Sequence, residues 1–479
     1  MGSIMPSAED YKPTFKTPWI ETPLVESACL SRAAGCRIFL KLENVQPSGS
    51  FKSRAMGNQI LSHLRKPEYA NRRVHFYASS GGNAGLAAVC AARSLGYPCT
   101  VVVPLSTKPL MVEKLHSAGA ADVLRHGDNF FEAGSYMKET IMKQRSEEDP
   151  EVANIALHPF DNEPIWEGNS TIIDELEKQL PVAANADEED VYRGRALPLD
   201  AILCSVGGGG LLNGLVMGLE KRRSQKAIAQ DGQSSTGHCY MDVSNAETEN
   251  YTRPTSSKPR PIHLLAIETD GTDSLAAAIA KNTLVSLPKI TSQATSLGAI
   301  RVSETTFQYA VAPPPGIKVH STVLTDAEAA RGVLRLADDE RLLVELACGV
   351  CVEAAVGDAY TAAAEAAATT AASANPVAGG QSSKKRKRGP GPDGEQRDEG
   401  YGDDRYSSTD NETDPEAEPE VAQLTSSTPE LQSKLKQLVP DLNEQSRVVI
   451  VVCGGSNVTI GMASEYRDML AQGWKKEDL

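Results

Sequence analysis

The sequence predicts an α/β protein built on two mostly parallel sheets flanked by helices. Short runs of β-branched and aromatic residues alternate with stretches of helical period. Three of these runs, Ile38 to Leu42, Val74 to Ala78 and Ala201 to Val206, lead into turns rich in Gly and Ser that open helices. The turns around Lys52, Asn83 and Gly207 to Gly210 then fall at carboxyl ends of strands, where open α/β sheets bind ligands.

The elements follow in order. Residues 1–36 are an entry segment, with an apolar piece from Thr22 and a helix over Glu26 to Ala34. Ile38-Phe39-Leu40-Lys41-Leu42 reads as a buried strand. Pro47-Ser48-Gly49-Ser50 is a turn, and Ser50 is placed to cap a helix from Phe51 to Leu64. Met56, Ile60, Leu61 and Leu64 recur near helical spacing along it. Val74 to Ala78 is a strand. Ala84 to Ser94 is an alanine-rich helix closed by Gly96. Thr100 to Pro104 is a strand, Lys108 to Gly119 a helix, Asp122 to Leu124 a short strand and Asn129 to Arg145 a helix. From Asn154 to Phe160 the chain crosses to a second lobe. That lobe has a helix from Glu167 to Leu180, the strand Ala201 to Val206, a helix from Leu211 to Glu220 and a strand from Ile262 to Ile267. Helical material follows over Ser274 to Ala280, Thr325 to Ala337 (with Thr325 as a cap) and Glu345 to Ala374, and Arg447 to Val452 is a β-branched strand.

The expected division is a small domain over 44–158 and a large one formed by 1–43 and 159–479. Two stretches fit neither. Residues at about 221–259 are rich in Ser, Gln, Asn and Thr without a period, and those at about 374–428 hold Lys384 to Arg388 and then a Gly/Pro/Asp/Glu run. Both read as disordered insertions. The basic cluster reads as a solvated loop, with a nuclear address as the sharper alternative.

The formal net charge of −15 argues against a general nucleic-acid partner, which needs a basic face. No apolar run approaches the roughly 20 residues of a membrane span. The first residues are polar with no secretory core, so a soluble, cytoplasmic protein is expected. The 9 cysteines in so long a chain do not suggest a disulfide framework. Cys348-Gly349-Val350-Cys351 has no second pair and no His cluster around it, and reads as a structural helix segment.

The chemistry lies in the turns. Four successive glycines between a strand and a helix let backbone N–H groups approach a phosphate, aided by the helix dipole. That loop has no lysine and no GxGxxG spacing, which speaks against a P-loop or a dinucleotide fold. Ser79 to Asn83 offers hydroxyls, an amide and glycine N–H groups, a set suited to a carboxylate and a ring hydroxyl. Lys52 offers an amine in the first turn of a helix, where the positive end of the dipole favours loss of its proton. Taken alone, Lys52 is more simply a surface lysine at a helix start. With the other two turns it suggests pyridoxal phosphate (PLP) held as a Schiff base on Lys52.

The pattern resembles the fold-type II PLP enzymes, of the tryptophan synthase beta-like fold, and within them the eukaryotic catabolic L-serine/L-threonine dehydratases. The resemblance rests on Lys41-Leu42-Glu43-Asn44 through Ser50-Phe51-Lys52-Ser53-Arg54, on Ser80-Gly81-Gly82-Asn83-Ala84-Gly85 and on Ser205-Val206-Gly207-Gly208-Gly209-Gly210-Leu211. His158-Pro159-Phe160-Asp161, Ile267-Glu268-Thr269, the segment from Leu284 to Ser292 and Cys453-Gly454-Gly455-Ser456-Asn457 are similar too. It covers nearly the whole chain outside the two insertions.

The resemblance implies roles. Lys52 would carry the cofactor and, once freed by substrate, take the α-proton. Phe51 would stack on the ring and Asn83 would bond the ring hydroxyl. Ser80, Gly81 and Asn83 would hold the substrate, with Ser80 and its loop on the carboxylate. Gly207, Gly208, Gly209 and Gly210 would bind the cofactor phosphate, and Cys453 would face the ring nitrogen. A thiol there leaves that nitrogen largely unprotonated, which suits prompt loss of a β-hydroxyl. Serine would give pyruvate and ammonia, and threonine 2-oxobutanoate. A monovalent cation such as potassium would take Glu268 and the carbonyls of Gly207, Thr272, Leu297 and Ala299. A homodimer is implied.

Gly81 stands where serine racemases of this fold place a second serine, which favours elimination over racemisation. With so little chain after Asn457, neither the regulatory domain of biosynthetic threonine deaminases nor isoleucine control is expected. Leu346 stands where relatives often have proline. The competing readings are a β-replacement enzyme of the cysteine synthase type, and a non-catalytic descendant that keeps the fold for binding.

Overall fold

Ten strands form two sheets in the computed structural model, which describes residues 14–234, 260–357 and 433–474. All of these belong to one unit, Met1–Tyr360 together with Leu431–Leu479. Lys384 to Arg388, the stretch 374–428 and residues 235–259 lie outside the described residues. In chain order the strands are β1 (Leu24–Glu26), β2 (Arg37–Lys41), β3 (Arg73–Ala78), β4 (Cys99–Val103), β5 (Asp122–Arg125), β6 (Val152–Leu157), β7 (Ala201–Ser205), β8 (Ile262–Thr269), β9 (Ile317–Leu324) and β10 (Arg447–Val451). The larger sheet has the order β1-β2-β10-β7-β8-β9, and only β1 is antiparallel to its neighbour. The smaller has the order β5-β4-β3-β6 and is parallel throughout.

Strands buried on both faces read as continuous apolar runs, which is why β7 and β10 show no polar alternation. Leu203, Leu265 and Ile450 point to one face, against Cys348 and Val352 of the helix Leu346–Val356. Ile202, Leu264 and Val449 point to the other, against Leu212 and Val216. The small sheet is covered in the same way, with Phe76 on one side and Tyr77 on the other.

Several elements depart from the sequence expectation. The helix Gly210–Ser234 does not end at Glu220. Lys221 and Arg222 are good helix formers that reach Asp174 and Glu177 on the helix Glu163–Gln179, so the helix continues into polar sequence. β9 and the helix Glu304–Val311 carry no strong apolar signal because β9 is a half-buried edge strand with Lys318, His320, Ser321 and Thr322 along it. The helices Ala186–Tyr192, Lys434–Leu438 and Ile460–Ala471 are likewise absent from the sequence expectation. Ser50 does not cap the helix Lys52–Leu64. Phe51 occupies the cap position without a side-chain bond, and Ser50 forms a β-bridge with Gly454 while its hydroxyl finds no partner among the described residues. Thr325 does cap its helix, in a reciprocal capping box with Glu328.

The Lys52 helix is locked by a buried charge cluster. The Arg54 guanidinium donates to Glu43 at 2.8 and 2.7 Å, and to Glu175 at 2.5 and 2.8 Å. Lys41 adds a bond to Glu175 at 2.5 Å and one to the Thr22 carbonyl at 2.7 Å. Burial alone would raise the Glu175 carboxyl, but Arg54 and Lys41 outweigh it and hold it below the usual range. The cluster ties β2, the lysine turn and the helix Glu163–Gln179 to one another. Removing one partner of such a set leaves a buried charge uncompensated. Arg54→Ala is therefore expected to cost about 3–5 kcal/mol, read as a lower urea midpoint. Arg54→Lys should recover only part of it, since an ammonium lacks the fork that grips two carboxylates.

Candidate active site

β10 lies between β2 and β7, so the segments leaving their carboxyl ends stand side by side. After β2 comes the Lys52 turn, after β10 the Cys453 loop, and after β7 the glycine run. Main-chain bonds stitch the first two together. Phe51 N donates to Cys453 O at 3.2 Å and Gly455 N to Gly49 O at 2.9 Å. Ser205, at the end of β7, places its hydroxyl 3.7 Å from Cys453 Sγ.

Lys52 is the first residue of its helix. Its Nζ donates to Pro159 O at 3.0 Å and stands 5.1 Å from the centre of the Phe51 ring. Burial lowers its pKa from 10.5 to about 8. Desolvation is thus the chief cause, where the sequence alone points to the helix dipole. The residue after Pro159 packs on the glycine run, and a Cβ on Gly208 would come within 2.3 Å of the Phe160 ring. Gly209 has a φ of +94°, a left-handed conformation that glycine adopts without strain. Among the described residues, the N–H groups of Gly208 and Gly209 donate to no main-chain carbonyl. The run is therefore a cradle of unpaired donors, beside an amine held by the same segment.

The remaining turn comes from the small sheet. Asn83 opens the helix Asn83–Ser94 after β3. Its Oδ1 accepts from Ser456 N at 3.0 Å and its Nδ2 donates to Glu345 at 3.0 Å. Ser80 Oγ accepts from Gly82 N at 3.3 Å. Thr107 fills the space beside Gly81, where a Cβ would meet its Cγ2 at 2.6 Å. Lys114 reaches from the small-sheet side to Ser456 O.

Cys453 is buried, and its hydrogen bond to Cys348, in which the Cys453 S–H donates, together with burial pushes its thiol well up, so it stays neutral. Cys348 and Cys351 lie in the core helix Leu346–Val356. Leu346 is the first residue of that helix, a position proline also occupies well, and its side chain is buried in the core.

The cation candidates are less closely gathered. The Leu297 backbone lies 3.0 Å from where a Gly207 Cβ would be. Glu268 is fully buried, and burial pushes its carboxyl up to about 8. Its oxygens accept from Leu275 N and Ala276 N, each at 2.8 Å. The Thr272 carbonyl accepts from Ser274 N at 2.9 Å and that of Leu297 from Ala299 N at 2.7 Å. Glu345 is the site residue that sequence reasoning missed. Nothing in its local pattern marks it, and only the packing of two distant segments brings it to Asn83.

A desolvated amine next to an empty-handed set of backbone donors is the equipment of an enzyme that grips a phosphorylated aldehyde. The chain belongs to the family described as pyridoxal-phosphate dependent enzyme, whose model matches residues 16–373. It is 36% identical over 334 residues to an L-serine dehydratase of Saccharomyces cerevisiae (strain AWRI1631), covering 70% of this chain and 84% of that protein. It is 35% identical over 335 residues to an L-serine dehydratase/L-threonine deaminase of Mus musculus, covering 70% of this chain and 82% of the mouse protein. The solved structure of a fungal L-serine ammonia-lyase from Rhizomucor miehei shares the fold, with a TM-score of 0.60 at 23% identity over 95% of this chain and 99% of that one.

The unpaired donors of the glycine run fit the phosphate of PLP, and an amine whose pKa is lowered to about 8 fits its aldehyde. Only the unprotonated amine attacks a carbonyl. Uptake of PLP by cofactor-free protein should therefore accelerate as pH rises and level off above about 8, rather than continuing to climb towards 10.5. Stopped-flow absorbance across that range measures it.

Proposed function

We propose that this protein is an ammonia-lyase that converts L-serine to pyruvate and ammonia, and L-threonine to 2-oxobutanoate and ammonia. The observation that carries the reading is the Lys52 amine, depressed to about 8 and held by Pro159 beside the glycine cradle. The dehydratase relatives supply the reaction class.

When bound, PLP supplies an electron sink conjugated to the substrate amine. The chain's own residues do the rest. Gly207 to Gly210 would hold the phosphate through backbone N–H groups, and Phe51 would stack on the ring. Ser80 and the N–H groups around Gly81 would hold the substrate carboxylate, and Asn83 would offer its amide to the ring hydroxyl. Lys52 Nζ accepts the α-proton. Cys453, a neutral thiol, would face the ring nitrogen without protonating it, a setting that suits prompt elimination in which the β-hydroxyl leaves as water, the proton lost from the α-carbon balancing it. Gly81 has no side chain to return a proton from the opposite face, which favours elimination over racemisation. The same proposal includes a potassium ion near Gly207, Leu297 and Glu268, with Thr272 and Ala299 as further oxygen donors. Homodimer assembly and a cytoplasmic setting are proposed on the strength of the resemblance.

Purified protein should show a band near the visible edge that borohydride bleaches, and should form pyruvate from L-serine. Lys52→Ala should lose at least about 10³-fold in turnover with an unchanged circular dichroism spectrum, since both attachment and proton transfer are lost. Persistent turnover in that variant would reject the assignment. A bleachable band without pyruvate would favour β-replacement, and no band after PLP is supplied would favour a binding protein. For the cation, the thermal midpoint should rise in potassium chloride relative to tetramethylammonium chloride at equal ionic strength. Equal midpoints would remove potassium from the proposal.

A further inference from the structure

Glu345 immediately precedes the helix Leu346–Val356 and stands at its cap position, yet its side chain makes no capping bond to that helix. The carboxylate is spent elsewhere. Its Oε1 accepts from Asn83 Nδ2 at 3.0 Å and from Asn457 N at 2.7 Å. It is only 6% exposed. Gly455 packs directly on it, and a Cβ there would lie 2.3 Å from the Glu345 carboxyl carbon. A buried carboxylate that ignores its own helix and holds two other segments is placed for something beyond helix stability.

The polarity of these bonds is what matters. A side-chain amide can be turned over, exchanging its oxygen and nitrogen with little change of shape. At Asn83 the two orientations are far from equivalent. Glu345 Oε1 already accepts from Asn457 N, and a backbone N–H such as that of Ser456 only donates. With Glu345 facing one end and Ser456 N the other, the amide has one satisfied orientation, with Nδ2 to Glu345 and Oδ1 to Ser456. The reversed amide sets oxygen against carboxylate and NH2 against N–H. In the satisfied orientation Nδ2 keeps a second N–H for a ligand in the cleft. In the reversed one, the cleft meets a carbonyl oxygen instead.

We infer that Glu345 is a positioning residue that fixes the orientation of the Asn83 amide, so that Asn83 presents an N–H donor to the ring-hydroxyl oxygen of PLP. The inference rests on the reading of this cleft as a PLP site. A donor there stabilises the ionised ring oxygen, and loss of a fixed donor lets that oxygen hold its proton to higher pH. Glu345 thereby acts on the cofactor through Asn83, without touching it.

The test compares wild type with Glu345→Ala, Glu345→Gln, Asn83→Ala and the double variant Glu345→Ala/Asn83→Ala. The readouts are PLP affinity and the pH dependence of the absorbance of the lysine-bound cofactor. Loss of an outer partner of this kind commonly costs about 10–100-fold in ligand affinity, and that loss is expected for Glu345→Ala, with the absorbance titration moved to higher pH. Glutamine keeps a carbonyl acceptor, so Glu345→Gln should show a smaller loss in the same sense, about 3–10-fold, and it carries the test if the alanine variant does not fold. The double variant should be no worse than Asn83→Ala, because the two residues act as one unit. Additive losses, or wild-type affinity and titration in both Glu345 variants, would overturn the inference while leaving the lyase reading intact. Wild-type protein that takes up no PLP would overturn both.

Discussion

Five residues near the carboxyl end of the chain, Arg447–Val451, pair in parallel with β2 on one side and with β7 on the other. The candidate site depends on that double pairing. Parallel strands point their carboxyl ends the same way, so the register that aligns Val449 with Phe39 and with Ile202 also aligns the loops leaving these strands. The lysine turn, the Cys453 loop and the glycine run become neighbours although some 400 residues separate the first two in sequence. The amino end of β10 is pinned as firmly. Arg447 is fully buried, pairs with Glu188 at 2.5 Å, and receives support from Asp200, which accepts its backbone N–H at 2.9 Å.

Charge burial sets the stiffness of this arrangement. The cluster of Arg54, Glu43, Glu175 and Lys41 sits directly under the lysine turn, where each cation meets a carboxylate in geometry that meets most of its donors. Such clusters are weak evidence for stability gained, because desolvation cancels much of the attraction. They are better read as specifying one arrangement, since any slip of the Lys52 helix strands a full charge in the interior. Two residues before Arg54, the amine of Lys52 meets no carboxylate among the described residues, and burial makes it a base of moderate strength. Neighbouring basic residues on one helix thus stand in opposite settings, Arg54 compensated by two carboxylates and Lys52 bonded to the Pro159 carbonyl.

The small sheet contributes through the asparagine turn and through the segment leaving β6, where Pro159 O holds Lys52 Nζ. Asn83, Ser456 and Glu345 hold that turn to the large sheet, and Lys114 adds a second attachment at Ser456 O. The Cys453 loop is therefore the place where both lobes meet, and its two glycines with positive φ, Gly454 and Gly455, allow the close approach. A side chain at either would displace Asn44 or Glu345.

The local sequence by itself determined the strands, the turns and their chemistry. Ile38 to Leu42, Ala201 to Val206 and Arg447 to Val452 are legible as strands because residues buried on both faces must be apolar at every position. Lys52, Asn83 and the glycine run are legible because a turn between a strand and a helix has few ways to be built, and glycine or a capping residue marks it. The half-exposed β9 was not legible, since its apolar and polar residues answer to an edge position that no local window reveals. Nor was the extension of the helix Gly210–Ser234, whose polar end is held by ion pairs to another helix. Tertiary structure alone decided that β10 enters the middle of the sheet, that burial lowers the Lys52 amine, and that Glu345 faces Asn83. The reason is common to all three. Each depends on what a residue meets across space, and desolvation and hydrogen-bond polarity exist only once distant segments have closed around it.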